Sequence, residues 1–303
     1  MRSYRYLHYD VFTDHLFGGN QLAVVLDARG LSAETMQAVA KEMNFSETTF
    51  VLPPEQAGTD VRMRIFTPGE ELPMAGHPTI GSTFALARSG MIEAGRDRFV
   101  FGLGIGPVPV SPTWDGGDLA FAWMPQPNPK FGPPIPDRAG AAAALTLSEA
   151  AIGGTGLPVQ AVSCGVPFVF VPLTTRSAVD GVAVNRAALD AFLRATRSGA
   201  HGVFVFSAQP GKDRATVYSR MFAPELGVAE DPASGSASGP LGCYLVRHKV
   251  VTPEKAGKMQ SLQGVKMGRP SDVHIAIDVR NGEISSVRVG GDAVLAGEGT
   301  LYL

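Results

Sequence analysis

Apolar positions in the N-terminal half change period along the chain. Leu22-Ala-Val-Val-Leu26 is a short continuous apolar run, the pattern of a buried strand. Met36, Val39, Ala40 and Met43 then fall on one stripe, which predicts a helix from Ser32 to about Met43. Ser32 suits its N-cap, and Leu31 with Met36 occupies the two positions of a hydrophobic staple. Strand-like runs return at Thr48–Leu52 and Val61–Phe66. Further on, Leu189, Phe192, Leu193 and Thr196 share one side of a predicted helix over Asn185–Arg197. Val203–Phe206 and Thr216–Phe222 read as strands, and Val273–Asp278 and Ile284–Val289 as two more, joined by an Asn281-Gly282 turn. Between the halves, Pro125, Pro127, Pro129, Pro133, Pro134 and Pro136 exclude both a helix and a central strand. This stretch predicts a stiff extended linker and a domain boundary.

One pattern repeats. Arg64-Ile-Phe-Thr-Pro68 returns as Arg220-Met-Phe-Ala-Pro224, about half the chain further on. Each copy is followed by a small-residue segment that starts a helix, Gly76-His-Pro-Thr-Ile-Gly81 running to Arg88 and Asp231–Gly239 running to Arg247. Gly90 suits the end of the first helix. The shared strand–loop–helix order implies duplication, with two related domains presenting matched helix N-termini, expected to face a shared cleft. Domains are placed at 1–123 and 124–290, with the C-terminal segment 291–303 as a strand that can complete the first.

Composition narrows the function. Of 303 residues, 45% are hydrophobic and only 18% charged, so sizeable cores are expected. A net charge of −2 argues against nucleic-acid binding, which needs a basic stripe. Two cysteines, Cys164 and Cys243, exclude a disulfide scaffold and a Cys-rich metal site, and both read as packing residues. The N-terminus lacks the apolar core of a secretory signal, and no run is long enough to span a membrane, so a cytoplasmic location is expected. The six histidines are scattered, no G-x-x-x-x-G-K-[ST] loop occurs, and no G-x-S-x-G elbow is present. Neither a nucleotide cofactor nor a metal is expected.

Acid–base chemistry remains. Two helix N-termini facing one cleft would favour a carboxylate or phosphate through free N–H groups and the helix dipoles. Equally, Gly76, Gly81, Gly235 and Gly239 would allow buried helices to pack tightly. Glu47 lies in Asn44-Phe-Ser-Glu-Thr-Thr-Phe50, where a predicted helix meets an apolar strand. Desolvation there would raise its pKa towards neutrality, as a proton shuttle requires; a solvated loop carboxylate is the other reading. His77 and Asp231 are placed at equivalent points of the two helix starts, as site residues or as ordinary caps.

Several motifs together resemble the phenazine-biosynthesis PhzF-like family. They are Asp10-Val-Phe-Thr-Asp14, Phe17–Val25, Phe45–Pro53, Arg64–Pro68, Glu71–Gly81, Glu230–Ala237 and Gln263–Pro270, in order across nearly the whole chain. The resemblance implies an α+β, diaminopimelate-epimerase-like fold of two pseudo-symmetric domains, each a β-barrel-like sheet around a central helix, with the active site between them. It implies a homodimer, no cofactor, and a small carboxylate substrate. By motif, Glu47 is the catalytic acid that moves a proton. His77, Asp231 and Ser236, with Gly76, Gly235 and Asn20, are the substrate-binding residues. Related epimerases use a cysteine at each helix start; here those places read Ala75-Gly76-His77 and Ala233-Ser234-Gly235, which disfavours two-cysteine racemisation. Ser234 stands where the family often has threonine, and Gln21 where proline is common. The expected function is a cofactor-independent isomerase acting on a small cyclic or unsaturated carboxylic acid. A lyase or dehydratase, or a non-catalytic binder of a carboxylate metabolite, are the alternatives.

Overall fold

The computed structural model describes residues 2–303. The chain divides into two compact units, Met1–Pro125 with Gly290–Leu303, and Gln126–Val289. The first contains β1 (Ser3–Val11), β2 (Asn20–Val25), α1 (Ala33–Met43), β3 (Glu47–Leu52), β4 (Val61–Phe66), β5 (Glu71–Leu72), α2 (Gly76–Arg88), β6 (Phe99–Leu103), β7 (Gly106–Asp115) and most of β8 (Asp118–Gln126). The second contains β9 (Lys130–Ile135), α3 (Arg138–Leu145), α4 (Glu149–Gly153), β10 (Val159–Ser163), β11 (Pro167–Pro172), α5 (Arg176–Asp180), α6 (Arg186–Thr196), β12 (Val203–Ser207) and β13 (Val217–Ala223). It continues with β14 (Val228–Asp231), α7 (Gly235–Arg247), β15 (Met259–Gln263), β16 (Ser271–Arg280) and most of β17 (Glu283–Gly291). The last strand, β18 (Ala293–Tyr302), belongs to the first unit and pairs with β1 along its length, from Ser3 opposite Tyr302 to Val11 opposite Ala293.

Strand pairing repeats from one unit to the other. In the first, the order β18–β1–β2–β3–β4–β6–β7 is antiparallel throughout except for the parallel pairs β2/β3 and β4/β6, and β5 adds antiparallel to β4. In the second, β9–β10–β11–β12–β13–β15–β16 has the same directions, parallel only at β11/β12 and β13/β15, with β14 antiparallel to β13. Helices sit at matching places, α1 like α5 and α6 between the strands of the first parallel pair, α2 like α7 between those of the second.

Local chemistry explains most of the elements. Ser32 caps α1 by accepting the Thr35 N–H, and Asn185 caps α6 by accepting the Ala188 N–H. The Asn281-Gly282 turn has both residues at positive φ, 53° and 80°, as a two-residue hairpin with the right twist requires. The proline-rich stretch corrects the linker expectation. Residues 130–135 form strand β9, which pairs with β10 through a register shift between Gln160 and Val162. Among the described pairings β9 has β10 alone, and prolines are tolerated on the open side of an edge strand and at a bulge such as this register shift.

α2 and α7 are the two centres. Each is 13 residues long and buried on nearly all sides, α2 against β1, β2 and β3 and α7 against β16, β10 and β11. A helix buried all round needs small residues where a strand comes close. A Cβ on Gly81 would lie 2.5 Å from a Val11 methyl, and one on Gly239 would collide with the Gln126 side chain, so these two glycines are there for packing. Both helices open alike: Thr79 returns its hydroxyl to the Ala75 carbonyl, and Ser238 to the Ser234 carbonyl, each at 2.8–2.9 Å. They close alike too. The N–H groups of Met91 and Ile92 bond the Leu86 carbonyl, as those of Val250 and Val251 bond the Leu245 carbonyl.

Candidate active site

In the first unit, three element starts converge. Asn20 is the first residue of β2, Glu47 the first of β3, and His77 the second of α2. The Asn44 backbone ends α1 in the left-handed region, so the chain reverses and delivers Glu47 within three residues to the start of β3, opposite Leu22. Glu47 Oε2 lies 3.3 Å from His77 Nδ1, and Asn20 Nδ2 lies 3.4 Å from the same nitrogen. The Glu47 side chain keeps 15% of its exposure, whereas His77 keeps 4%.

Burial pushes the His77 pKa down to about 3, and a backbone hydrogen bond at Gln21 offsets only part of this. At neutral pH the imidazole is therefore uncharged, and the approach of Glu47 is a contact between a carboxyl and a neutral ring, not an ion pair. A neutral ring has one donor and one acceptor nitrogen. Asn20 Nδ2 can only donate, so Nδ1 is the acceptor nitrogen towards it. Gly76 and His77 are also the first residues of α2, so the carboxyl sits beside a helix N-terminus.

The second unit holds the other group. Asp231 ends β14 and is buried; its Oδ2 accepts the Ser234 hydroxyl at 2.5 Å. It is not a helix cap: Ser234 holds that position, with Gly235 and the half-buried Ser236 as the first two residues of α7. Gln263, at the end of β15, donates to the Asp231 carbonyl at 2.7 Å and to Ser234 Oγ at 3.0 Å, and accepts the Ser234 N–H at 3.2 Å. Gln126 donates to the Gly235 carbonyl at 2.9 Å. Sequence reasoning missed Gln263 as a site residue. Its signal was its place at the head of the Gln263–Pro270 segment.

Strand register also corrects the proposed match of His77 with Asp231. Helix starts superpose Gly76 on Gly235, which pairs His77 with Ser236. Asp231 stands opposite Met221 as Leu72 stands opposite Ile65, so its counterpart is Leu72.

Other features are structural. Cys164 and Cys243 are buried with their sulfurs 3.9 Å apart, and the contact together with burial pushes the Cys243 thiol far up. A surface cavity of about 450 Å³ in the first unit is lined by Arg62, Arg64 and Glu71 but not by Glu47 or His77, and its arginines are paired with Glu55 and Glu71. Among the described residues no cluster of three or more His, Cys, Asp or Glu side chains is arranged to hold a metal, and no helix is long and apolar enough to cross a membrane.

A family model described as PhzC-PhzF, phenazine biosynthesis-like protein, matches residues 9–299. The chain is 37% identical to an uncharacterised isomerase of Mesorhizobium japonicum, covering 100% of both chains. It is 35% identical to trans-2,3-dihydro-3-hydroxyanthranilate isomerase of Pseudomonas aeruginosa, covering 99% of this chain and 100% of that one. The crystal structure of a PhzF-family phenazine biosynthesis protein of Bacillus anthracis matches with a TM-score of 0.87 and 27% identity, covering 100% of both chains. With two helix-centred units of repeated topology, the chain has the diaminopimelate-epimerase-like α+β fold and belongs to the PhzC-PhzF family of phenazine biosynthesis-like proteins.

Proposed function

We propose that this PhzF-family isomerase moves a proton on a small cyclic or unsaturated carboxylic acid without a cofactor, with Glu47 as the single general acid and base. The observation that carries this reading is the pairing of a partly exposed carboxyl with a buried histidine whose pKa is lowered to about 3. The histidine is too weak a base to take a proton from carbon near neutral pH, so that task falls to Glu47. Glu47 removes a proton from one carbon of the substrate, with the neutral His77 ring beside its carboxyl. The same carboxyl then returns the proton to another carbon. Negative charge developing beside Glu47 meets the N-terminus of α2, where unpaired N–H groups favour an anion. In the second unit Asp231, Ser236 and the backbone of Gly235 are the substrate-binding groups of this reading, and the protein acts as a homodimer.

The test is a metabolite screen in heavy water with wild type and Glu47→Gln. Wild type is expected to convert a carboxylic acid with deuterium incorporated at carbon and, in exchange-corrected mass, no change of composition; Glu47→Gln leaves it untouched. Full conversion by Glu47→Gln overturns the assignment. A product lighter by a leaving group would make the reaction an elimination, and light scattering at working concentration checks the dimer.

A further inference from the structure

Ser234 occupies the N-cap of α7, where a serine hydroxyl ordinarily accepts a helix N–H; here it makes no capping hydrogen bond. Ser32, Thr175, Asn185 and Asp137 all cap their helices in this chain. Ser234 instead donates to Asp231 Oδ2 at 2.5 Å, so the helix start forgoes its side-chain cap for that contact.

Gln263 sets the direction of this bond. Its Nε2 donates to Ser234 Oγ, so the hydroxyl oxygen is already accepting and its one hydrogen is left to point at Asp231. The second Nε2 hydrogen holds the Asp231 carbonyl, and Oε1 holds the Ser234 N–H, so one amide grips both ends of the turn. Gln263 is fully buried and Ser234 nearly so, which makes each of these bonds costly to lose. The next residue, Gly264, has φ +74°, and a Cβ there would lie 2.6 Å from the Pro232 carbonyl oxygen. The end of β15 is thus pressed directly against the Asp231–Ser234 turn.

We propose that Gln263, acting through Ser234, is a positioning residue that fixes the Asp231 carboxylate for the isomerisation. This rests on the reading of Asp231 as a substrate-binding group. Gln263→Glu keeps the size of the side chain but replaces the donor with an acceptor, which turns the Ser234 hydroxyl away from Asp231. Ser234→Ala removes the hydroxyl, and Ser234→Thr restores it.

Two readouts test this in the full-length protein. The first is kcat and KM for trans-2,3-dihydro-3-hydroxyanthranilate, followed by deuterium uptake from solvent. kcat is expected to fall on the order of tenfold or more in Gln263→Glu and Ser234→Ala with KM little changed, and to recover in Ser234→Thr. The second needs no turnover. The side-chain carboxyl 13C resonance of Asp231, assigned by its loss in Asp231→Asn, should move in Gln263→Glu and Ser234→Ala and return in Ser234→Thr. An unmoved resonance in folded Gln263→Glu overturns the proposal, as does an effect on KM alone. Wild-type kcat in Asp231→Asn removes the reading beneath it as well, whereas an inactive Asp231→Asn beside fully active Gln263→Glu and Ser234→Ala overturns the positioning role only.

Discussion

The two units share a backbone plan but not a set of side chains. Phe66 and Phe222, from the repeated segments, lie opposite Thr48 and Val203 in register, which makes Gly202 the counterpart of Glu47. A Cβ on Gly202 would lie 2.9 Å from the Phe222 carbonyl oxygen and 3.1 Å from the Ala223 Cβ, so the second copy has no room for an acid. His77 becomes Ser236, and Leu72 becomes Asp231. Duplication therefore preserved strand order and the two helix starts while the ionisable groups diverged, with Glu47 in one copy and Asp231 in the other.

The repeated arginines show the same divergence in stability. Arg64 makes a two-pronged pair with Glu71 and lies over the Phe66 ring; Arg220 does the same with Glu230 and Phe222. The Arg64 guanidinium holds Glu71 below the usual carboxylate range. Arg220 is more deeply buried and also donates to the carbonyls of Val179, Asp180 and Val182 at the end of α5.

The largest effect is expected at Glu47. Glu47→Gln/Gly202→Glu is expected to stay with Glu47→Gln, on the order of a thousandfold below wild type in solvent deuterium exchange. Recovered exchange would show that the second copy can carry the chemistry. Next come the arginines. Arg220→Ala leaves a largely buried Glu230 and three carbonyls without their partner and should cost about 3–5 kcal/mol in urea unfolding. Arg64→Ala, with a half-exposed partner, should cost about 1 kcal/mol or less. Equal losses would mean that burial does not separate the two pairs.

His77 gives a pH test with no counterpart at Ser236. Its pKa is about 3 in the fold against the ordinary 6.5, so the unfolded chain takes the proton first as pH falls. The stability held by the neutral ring is complete above about pH 6.5 and is lost progressively towards about pH 3, with a slope of up to about 1.4 kcal/mol per pH unit. His77→Gln should flatten unfolding free energy against pH across that window, and an unchanged slope would contradict a neutral buried ring. The smallest effect lies at the helix ends, where Gly90 and Lys249 occupy the same left-handed place with φ 77° and 57°. Lys249→Gly should stabilise the protein by about 1 kcal/mol, seen as a raised Tm, because it relieves a side chain of that conformation.

Much of this was legible in the chain. The caps at Ser32 and Asn185, the Asn281-Gly282 turn and the bounds of α2 follow from residue type and spacing within a few positions, because short-range sterics and hydrogen bonds decide them. The repeated Arg-x-Phe-x-Pro segments likewise announced two halves of one design. The proline-rich stretch misled, since prolines forbid a central strand but not an edge one, and only the presence of β10 beside it made that edge. Among the candidate residues, residue type alone says which side chains can titrate: Glu47, His77 and Asp231. Tertiary structure decided which of them is neutral, through the burial of His77, and which residue holds Asp231, through the distant Gln263. It also decided that Asp231 answers to Leu72 and not to His77. Partners brought from remote strands set solvation, register and hydrogen-bond direction, and none of these is a property of local sequence.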